Sequence, residues 1–242
     1  MIYQMNIDTP SYLCDVNDRL HPWAAIRLCQ EVTEYHGNST GIGFQTLLAQ
    51  NRAWVITRAF YRIFRLPSAF EHIELSTWSR GNNGLIAYRD YRVCANDGEQ
   101  LMVGTSAWPM IDMTTRRVLR LNEVIEGYEN HDECATEYQT LGKLRPLDID
   151  NSKPVLTRKV SYTMLDHTKH VNNSEYIKLI FDDLEVNGFN SDKPFDIDVF
   201  YQHETKLDDT LSVYRQHPDA TSYLYQIINS AGISVIAHIT VR

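Results

Sequence analysis

The chain has 242 residues, 43% of them hydrophobic and 22% charged, which is enough for one large domain or two small ones. That composition excludes a disordered chain, a collagen-like chain and a disulfide miniprotein. The net charge of −8 is a poor basis for general binding to nucleic acid or anionic membrane.

Cys14, Cys29, Cys94 and Cys134 are scattered, with no CxxC pair. Neither a zinc cluster nor a dithiol redox site is signalled, and a reducing, cytoplasmic compartment is expected. Residues 1–8 lack the basic start and apolar core of a secretory signal. No apolar run approaches the ~20 residues of a bilayer span.

In chain order, a strand-like lead is followed by Asp15-Val-Asn17-Asp-Arg19-Leu20-His-Pro22 and a predicted helix. Pro22 suits the first helical position, where a missing N–H costs nothing. Trp23, Ile26, Cys29 and Val32 then recur at spacing three. Predicted strands follow at Trp54–Phe64, Ile73–Trp78, Tyr88–Ala95 and Gln100–Ile111, with Asn96-Asp97-Gly98 as a tight turn. Residues 52–120 hold ten arginines, no lysine and six acids. Residues 122–150 hold eight acids against Lys143 and Arg145, and with Gly127, Gly142 and Pro146 they read as a connector.

The order then repeats. Asp166-His-Thr168-Lys-His170-Val171-Asn-Asn173 matches the first motif at an offset of 151, which holds for 15/166, 17/168, 19/170 and 20/171. Asn172, Asn173 or Ser174 can cap a helix whose buried face is Tyr176, Ile177, Ile180, Phe181 and Leu184. Strands are predicted at Ile197–Tyr201, Thr210–Tyr214, Tyr223–Asn229 and Ile233–Val241. Each half is therefore one long helix with a curved antiparallel sheet, and two copies form a pseudo-dimer. The fold class is α+β.

Asp166, Thr168 and His170 alternate just before a helix N-terminus, and in an extended segment they would share one side. A carboxylate, a hydroxyl, an imidazole and the free amides of a helix start form a hydrolytic set. Glu204, in Phe200-Tyr-Gln-His203-Glu204-Thr205, is a polar interruption at a strand end and offers a second carboxylate. Asp15 and Arg19 read as a surface ion pair. His167 would point away from His170, so no metal pair is expected.

These residues resemble the acyl-acyl-carrier-protein (acyl-ACP) thioesterase family, bacterial type, a tandem or double hotdog. The resemblance rests on Asp166 through Asn173, Tyr201-Gln-His-Glu204, Trp54-Val-Ile-Thr-Arg58, Thr77-Trp78-Ser-Arg80, and Ser106-Ala-Trp108 with Thr115-Arg116-Arg117. It implies a hydrolase that splits fatty acyl-ACP into free fatty acid and holo-carrier, without cofactor or metal. It further implies an N-terminal hotdog (1–126) supplying the acyl tunnel, an acidic connector (127–152) and a catalytic C-terminal hotdog (153–242). Asp166, Thr168, His170 and Glu204 take the catalytic positions.

The family's Asn between Asp and His is Thr168 here, and Thr205 stands where plant-type members often carry Cys. A cysteine nucleophile at that position is thereby excluded, and direct attack by water, or a carboxylate-assisted route, remains. Hotdog hydratases space the pair as Asp-x4-His, against Asp166-x3-His170 here. Acyl-CoA as the carrier, or an acyl-binding protein without turnover, are the alternatives. The expected partners are acyl carrier protein and a fatty acyl chain, with no nucleic acid or membrane, and a homodimer of such chains is compatible. Arg58, Arg62, Arg116, Arg117 and Arg120 are the expected basic patch for an acidic carrier.

Overall fold

The computed structural model describes residues 1–124 and 129–242. The expected boundary between the N-terminal repeat and the connector, at Glu126 and Gly127, lies outside the described residues. The elements are β1 (Tyr3–Asp8), α1 (Pro22–Ser39), α2 (Phe44–Ala49), β2 (Arg52–Trp54), β3 (Arg58–Ile63), β4 (His72–Asn82), β5 (Ile86–Ala95), β6 (Gln100–Asp112) and α3 (Leu121–Val124). After the connector come β7 (Leu156–Lys159), α4 (Asn173–Val186), β8 (Phe195–Tyr201), β9 (Thr210–Asp219), β10 (Ser222–Asn229) and β11 (Gly232–Val241).

One antiparallel sheet runs in the order β1-β4-β5-β6-β3-β8-β11-β10-β9-β7, with β2 paired to β6. The order is a palindrome of the two repeats, and β3 against β8 is the seam, with Arg58 opposite Phe200 and Ile63 opposite Phe195. Alternation along β8 explains the layering. Phe195, Ile197, Val199 and Tyr201 face the helices and are buried, and they share one core with Ile26, Cys29 and Val32 of α1 and Ile177, Ile180, Phe181 and Leu184 of α4. Each such aliphatic side chain contributes roughly 1.5–3 kcal/mol by leaving water.

The other face of the seam mixes Arg58, Arg62, Asp196 and Asp198 with Phe60 and Phe200, and it carries the connector. Arg58 Nη1 donates to the Leu141 carbonyl at 2.6 Å, and Arg62 bonds both Glu137 and Asp196. Phe60 meets Tyr138 edge-on, with ring centres 4.6 Å apart. Trp78 Nε1 donates to the Glu133 carbonyl, and the Ala135 amide donates to the buried Asp90. The acidic connector is thus a strap that uses arginines of the first repeat. This corrects the expected carrier patch, because Arg58 and Arg62 are engaged within the chain.

A second difference is in the segment expected as one strand over Trp54–Phe64. It breaks into β2 and β3, which both pair β6 but with registers one residue apart, as Trp54 faces Met110 and Arg58 faces Ala107. Pro109 lies opposite the break. It has no N–H to donate, so the ladder loses a bond there and one extra residue is accommodated.

Candidate active site

The two motifs that repeat at offset 151 fold alike down to individual hydrogen bonds. Short 3-10 turns occupy Ser11–Leu13 and Tyr162–Met164. Cys14 bridges Leu20, and Leu165 bridges Val171. The Asp15 amide donates to the Arg19 carbonyl and the Asp166 amide to the His170 carbonyl, at 2.7 and 2.9 Å. Asp18 and Lys169 both adopt positive φ, 58° and 66°. The segment is therefore a closed turn and not the extended run expected from alternation. Asp166, Thr168 and His170 converge because the turn folds back on Asp166, whose Oδ1 accepts the Thr168 amide at 2.8 Å.

The same geometry corrects the expected Asp15–Arg19 ion pair. The Asp15 carboxylate accepts the Asn17 and Arg19 amides, while the Arg19 guanidinium reaches Ser68 at 2.7 Å.

In the second repeat the side chains form a chain of contacts. Thr168 Oγ1 lies 2.5 Å from Asp166 Oδ1 and 3.2 Å from His170 Nδ1. Asp166 Oδ1 already accepts the Thr168 amide, so the Thr168 hydroxyl proton goes to it as well. The hydroxyl oxygen is left to accept from His170 Nδ1–H. Nε2 then faces Glu204, whose Oε2 is 3.3 Å away, a contact that is a hydrogen bond only when Nε2 also carries a proton. Glu204 sits three residues beyond β8, and the Thr205 carbonyl accepts the Val171 amide at 2.9 Å, which holds the two segments together. Thr205 itself is buried, and its hydroxyl contacts Ser234 and accepts from Asn229, both at 3.0 Å.

Sequence reasoning assigned Arg116 to carrier docking and missed its partner. The guanidinium Nη2 pairs with Glu204 Oε1. Arg116 comes from the loop after β6, so the first repeat contributes a charge to the cluster. Only the Thr115-Arg116-Arg117 run hinted at it.

The backbone bonds also align the segments after β3 and β8. The Leu20 amide donates to the Pro67 carbonyl as Val171 donates to Thr205. By this correspondence Leu66 stands where Glu204 stands, and Arg19 where His170 stands. The first repeat keeps the turn but lacks the second carboxylate and the imidazole.

The cluster lines a cavity of about 650 Å³ that spans both repeats. Its walls include Arg27 and Thr33 of α1, Phe44 and Leu47 of α2, Trp54 and Trp108 of the first repeat, and Tyr176 and Tyr201 of the second. Burial pushes the Tyr176 phenol up to about 12, and burial also raises Tyr201, so both present neutral hydroxyls. His167 packs against Phe44 with ring centres 3.9 Å apart and planes tilted by 53°, and it also lines the cavity.

At the helix start, Asn172 caps α4. Its Oδ1 accepts the Ser174 amide and its carbonyl accepts the Glu175 amide, both at 2.9 Å. Two amides that the sequence reading left open for an oxyanion are therefore used, and Asn173, the first helical residue, lines the cavity.

The sequence model of the acyl-ACP thioesterase N-terminal domain matches residues 1–128, and that of the C-terminal domain matches residues 148–241. The chain belongs to the acyl-ACP thioesterase family. Among relatives of this family, it is 26% identical over 226 residues to the chloroplastic palmitoyl-acyl carrier protein thioesterase of Arabidopsis thaliana, covering 87% of this chain and 54% of that protein. It is 28% identical over 203 residues to the dodecanoyl-[acyl-carrier-protein] hydrolase of Umbellularia californica, covering 78% of this chain and 52% of that protein. The chain thus spans about half the length of the curated relatives it matches.

Two solved structures share the fold along all of this chain. The acyl-ACP thioesterase from Bacteroides thetaiotaomicron superposes with a TM-score of 0.84 at 20% identity, covering 98% of that chain. The 12:0-ACP thioesterase from Umbellularia californica superposes with a TM-score of 0.87 at 20% identity, covering 97% of that chain. The double hotdog expected from the sequence is the fold observed.

Proposed function

We propose that this chain hydrolyses the thioester of a fatty acyl chain carried on acyl carrier protein, releasing free fatty acid and holo-carrier. The observation that carries this reading is the contact chain Asp166–Thr168–His170–Glu204 on the wall of a cavity shared by both repeats. In this reading the N-terminal repeat (1–126) supplies much of the acyl tunnel. The C-terminal repeat (153–242) carries the reacting groups, and the connector (127–152) joins them.

The geometry supports the following roles. Glu204 and His170 Nε2 flank one position where water can be held, and Glu204 accepts its proton as the oxygen attacks the thioester carbon. Thr168, fixed by Asp166, holds the ring so that Nδ1 keeps its proton and Nε2 faces the reaction. The Asn173 amide at the α4 N-terminus receives the developing oxyanion, aided by the positive helix end. Collapse of the tetrahedral species expels the pantetheine thiolate, which takes back the proton by way of His170. Thr168 replaces the family Asn in a manner its chemistry permits, since a hydroxyl can donate to Asp166 and accept from His170 at once.

The partners of this reading are acyl carrier protein and the acyl chain, without nucleic acid or membrane, and a homodimer is compatible with it. Arg117 and Arg120 are exposed beyond β6, Arg120 lying 4.0 Å from Glu123, and are the members of the expected patch left to face an acidic carrier once Arg58, Arg62 and Arg116 are engaged. Among the described residues no helix is long and apolar enough to cross a membrane. The four cysteines are free, which supports a reducing, cytoplasmic location.

The test is thiol release from acyl-ACP and from acyl-CoA bearing the same acyl chain. Faster turnover of acyl-ACP supports the reading. Faster turnover of acyl-CoA moves the substrate class, and no release from either sinks it.

A further inference from the structure

We infer that Arg116 is a positioning residue for hydrolysis, by which the first repeat sets the geometry of the second repeat's Glu204. The inference rests on the thioesterase reading above. Glu204 is a flexible side chain, about a third exposed, and its two oxygens have different neighbours. Oε1 is taken by Arg116 and Oε2 faces His170 Nε2 at 3.3 Å. A carboxylate held at one oxygen by a guanidinium has its other oxygen aimed, so the ordering entropy of a long side chain is lost before substrate arrives.

The backbone that carries Arg116 is braced. The loop after β6 closes on Asp112, whose Oδ1 accepts the Thr114 amide at 3.0 Å, the Thr115 amide at 2.7 Å and the Thr115 hydroxyl at 3.0 Å. The Arg116 amide donates to the Asp112 carbonyl at 2.8 Å, and the Arg117 carbonyl accepts the Asp112 amide at 3.0 Å. Asn51 braces the same loop, donating from Nδ2 to Asp112 Oδ2 and accepting the Met113 amide at its carbonyl. Within this turn Arg116 adopts φ +59°, a region that costs a side-chain-bearing residue and that glycine or asparagine fills more easily. An arginine there, aimed at the carboxylate of the other repeat, is a placement that a turn alone does not require.

Two roles compete for Arg116, and carrier docking is the other. They separate by substrate. Docking acts on the carrier protein, so losing it raises KM for acyl-ACP and leaves a carrier-free acyl-pantetheine thioester untouched. Positioning acts on Glu204, so losing it lowers kcat on both.

The experiment measures kcat and KM of wild type, Arg116→Met, Arg116→Lys, Glu204→Gln and the double variant Arg116→Met/Glu204→Gln. Both thioesters are used, with thermal unfolding of each protein alongside. The expected result is a 10- to 100-fold fall in kcat for Arg116→Met on both substrates, with KM within about threefold and unfolding unchanged. Arg116→Lys should recover part of that loss, because the charge returns without the planar fork. Adding Arg116→Met to Glu204→Gln should cost nothing further, since the residue acts through Glu204.

Unchanged kcat in a folded Arg116→Met, or a defect confined to KM on acyl-ACP, overturns the inference. If Arg116→Met does not fold, Arg116→Lys and its double with Glu204→Gln decide by the same criterion. A wild-type chain inactive on both thioesters overturns the thioesterase reading, and this inference with it.

Discussion

The Val171 amide donates to the Thr205 carbonyl at 2.9 Å, and this bond ties the turn carrying Asp166, Thr168 and His170 to the segment carrying Glu204. Because these are backbone groups, side-chain substitutions at the cluster should change chemistry more than they change the frame.

Asp166 has two duties, since its Oδ1 holds both the turn amide and the Thr168 hydroxyl. Asp166→Asn keeps an acceptor oxygen for the turn but removes the charge. We expect kcat on acyl-ACP to fall by roughly 100-fold or more, with little change in unfolding temperature. Steady-state kinetics with a thermal melt checks this. A near wild-type rate would remove Asp166 from the reaction.

Thr168 is tested by two substitutions of opposite expectation. Thr168→Val keeps the shape and loses both contacts, so the ring of His170 is no longer oriented and kcat should drop by about 10- to 100-fold. Thr168→Asn can restore a donor to Asp166 and an acceptor for His170 Nδ1–H, and should keep or raise activity. The rates of the two variants on one acyl-ACP substrate check the pair. A collapse in Thr168→Asn would show that the hydroxyl has a role of its own.

The outer face of the seam predicts a pH-dependent stability. Burial lifts the Asp198 carboxyl to about 6, with Asp196 adding to the rise and the Val199 amide and Arg58 opposing it. An unfolded aspartate titrates near ~4. Between those values the native chain keeps a proton that the unfolded chain has released, so this group lowers stability as pH rises from about 4 to about 6. Asp198→Asn should therefore melt higher than wild type at pH 7 to 8, with the gain shrinking as pH falls toward 4. His36 has the opposite sign. Burial, with Arg89 beside it, lowers His36 to about 4, so stability is lost as pH falls from its unfolded value near ~6.5. Thermal melts of wild type and Asp198→Asn from pH 4 to 8 check the sign, and an Asp198→Asn gain that grows toward acid would contradict it.

Arg62 joins the two repeats and the connector through bonds to Asp196 and Glu137, and its side chain is only 18% exposed. Arg62→Met should cost about 2 kcal/mol, tempered because Arg242 also holds Asp196. Arg65→Met loses the bidentate pair with Glu71 and the half-exposed Glu99, but Arg65 is itself a third exposed and screened by water, so it should cost about 1 kcal/mol. Urea unfolding of the two variants compares them directly.

Legibility in the sequence followed locality. The two long helices were readable because Pro22 opens α1 and because Tyr176, Ile177, Ile180, Phe181 and Leu184 share a face that the sheet covers, whereas the short α2 and α3 were not. The duplication was readable because Asp15 and Asp166 anchor equal turns at equal spacing. The turn conformation was not, since its positive-φ position holds Lys169 and Asp18 in place of glycine, and alternation of polar residues mimics a strand. The strand break at Val55–Thr57 depends on Pro109, more than fifty residues away. Arginine pairing was equally out of reach: whether Arg62 meets a carrier or Glu137, and whether Arg116 meets Glu204, is decided only when the sheet closes and the connector lies across it.

Glu204, aimed at His170 from the end of β8, is the group proposed to accept a proton during thioester hydrolysis. The most direct measurement is single-turnover thiol release from acyl-ACP by wild type and by Glu204→Gln, which keeps the side-chain shape. Wild type is expected to turn over, and the Glu204→Gln protein to be slower by roughly 100-fold or more while melting at the wild-type temperature. Equal rates for the two folded proteins would contradict it.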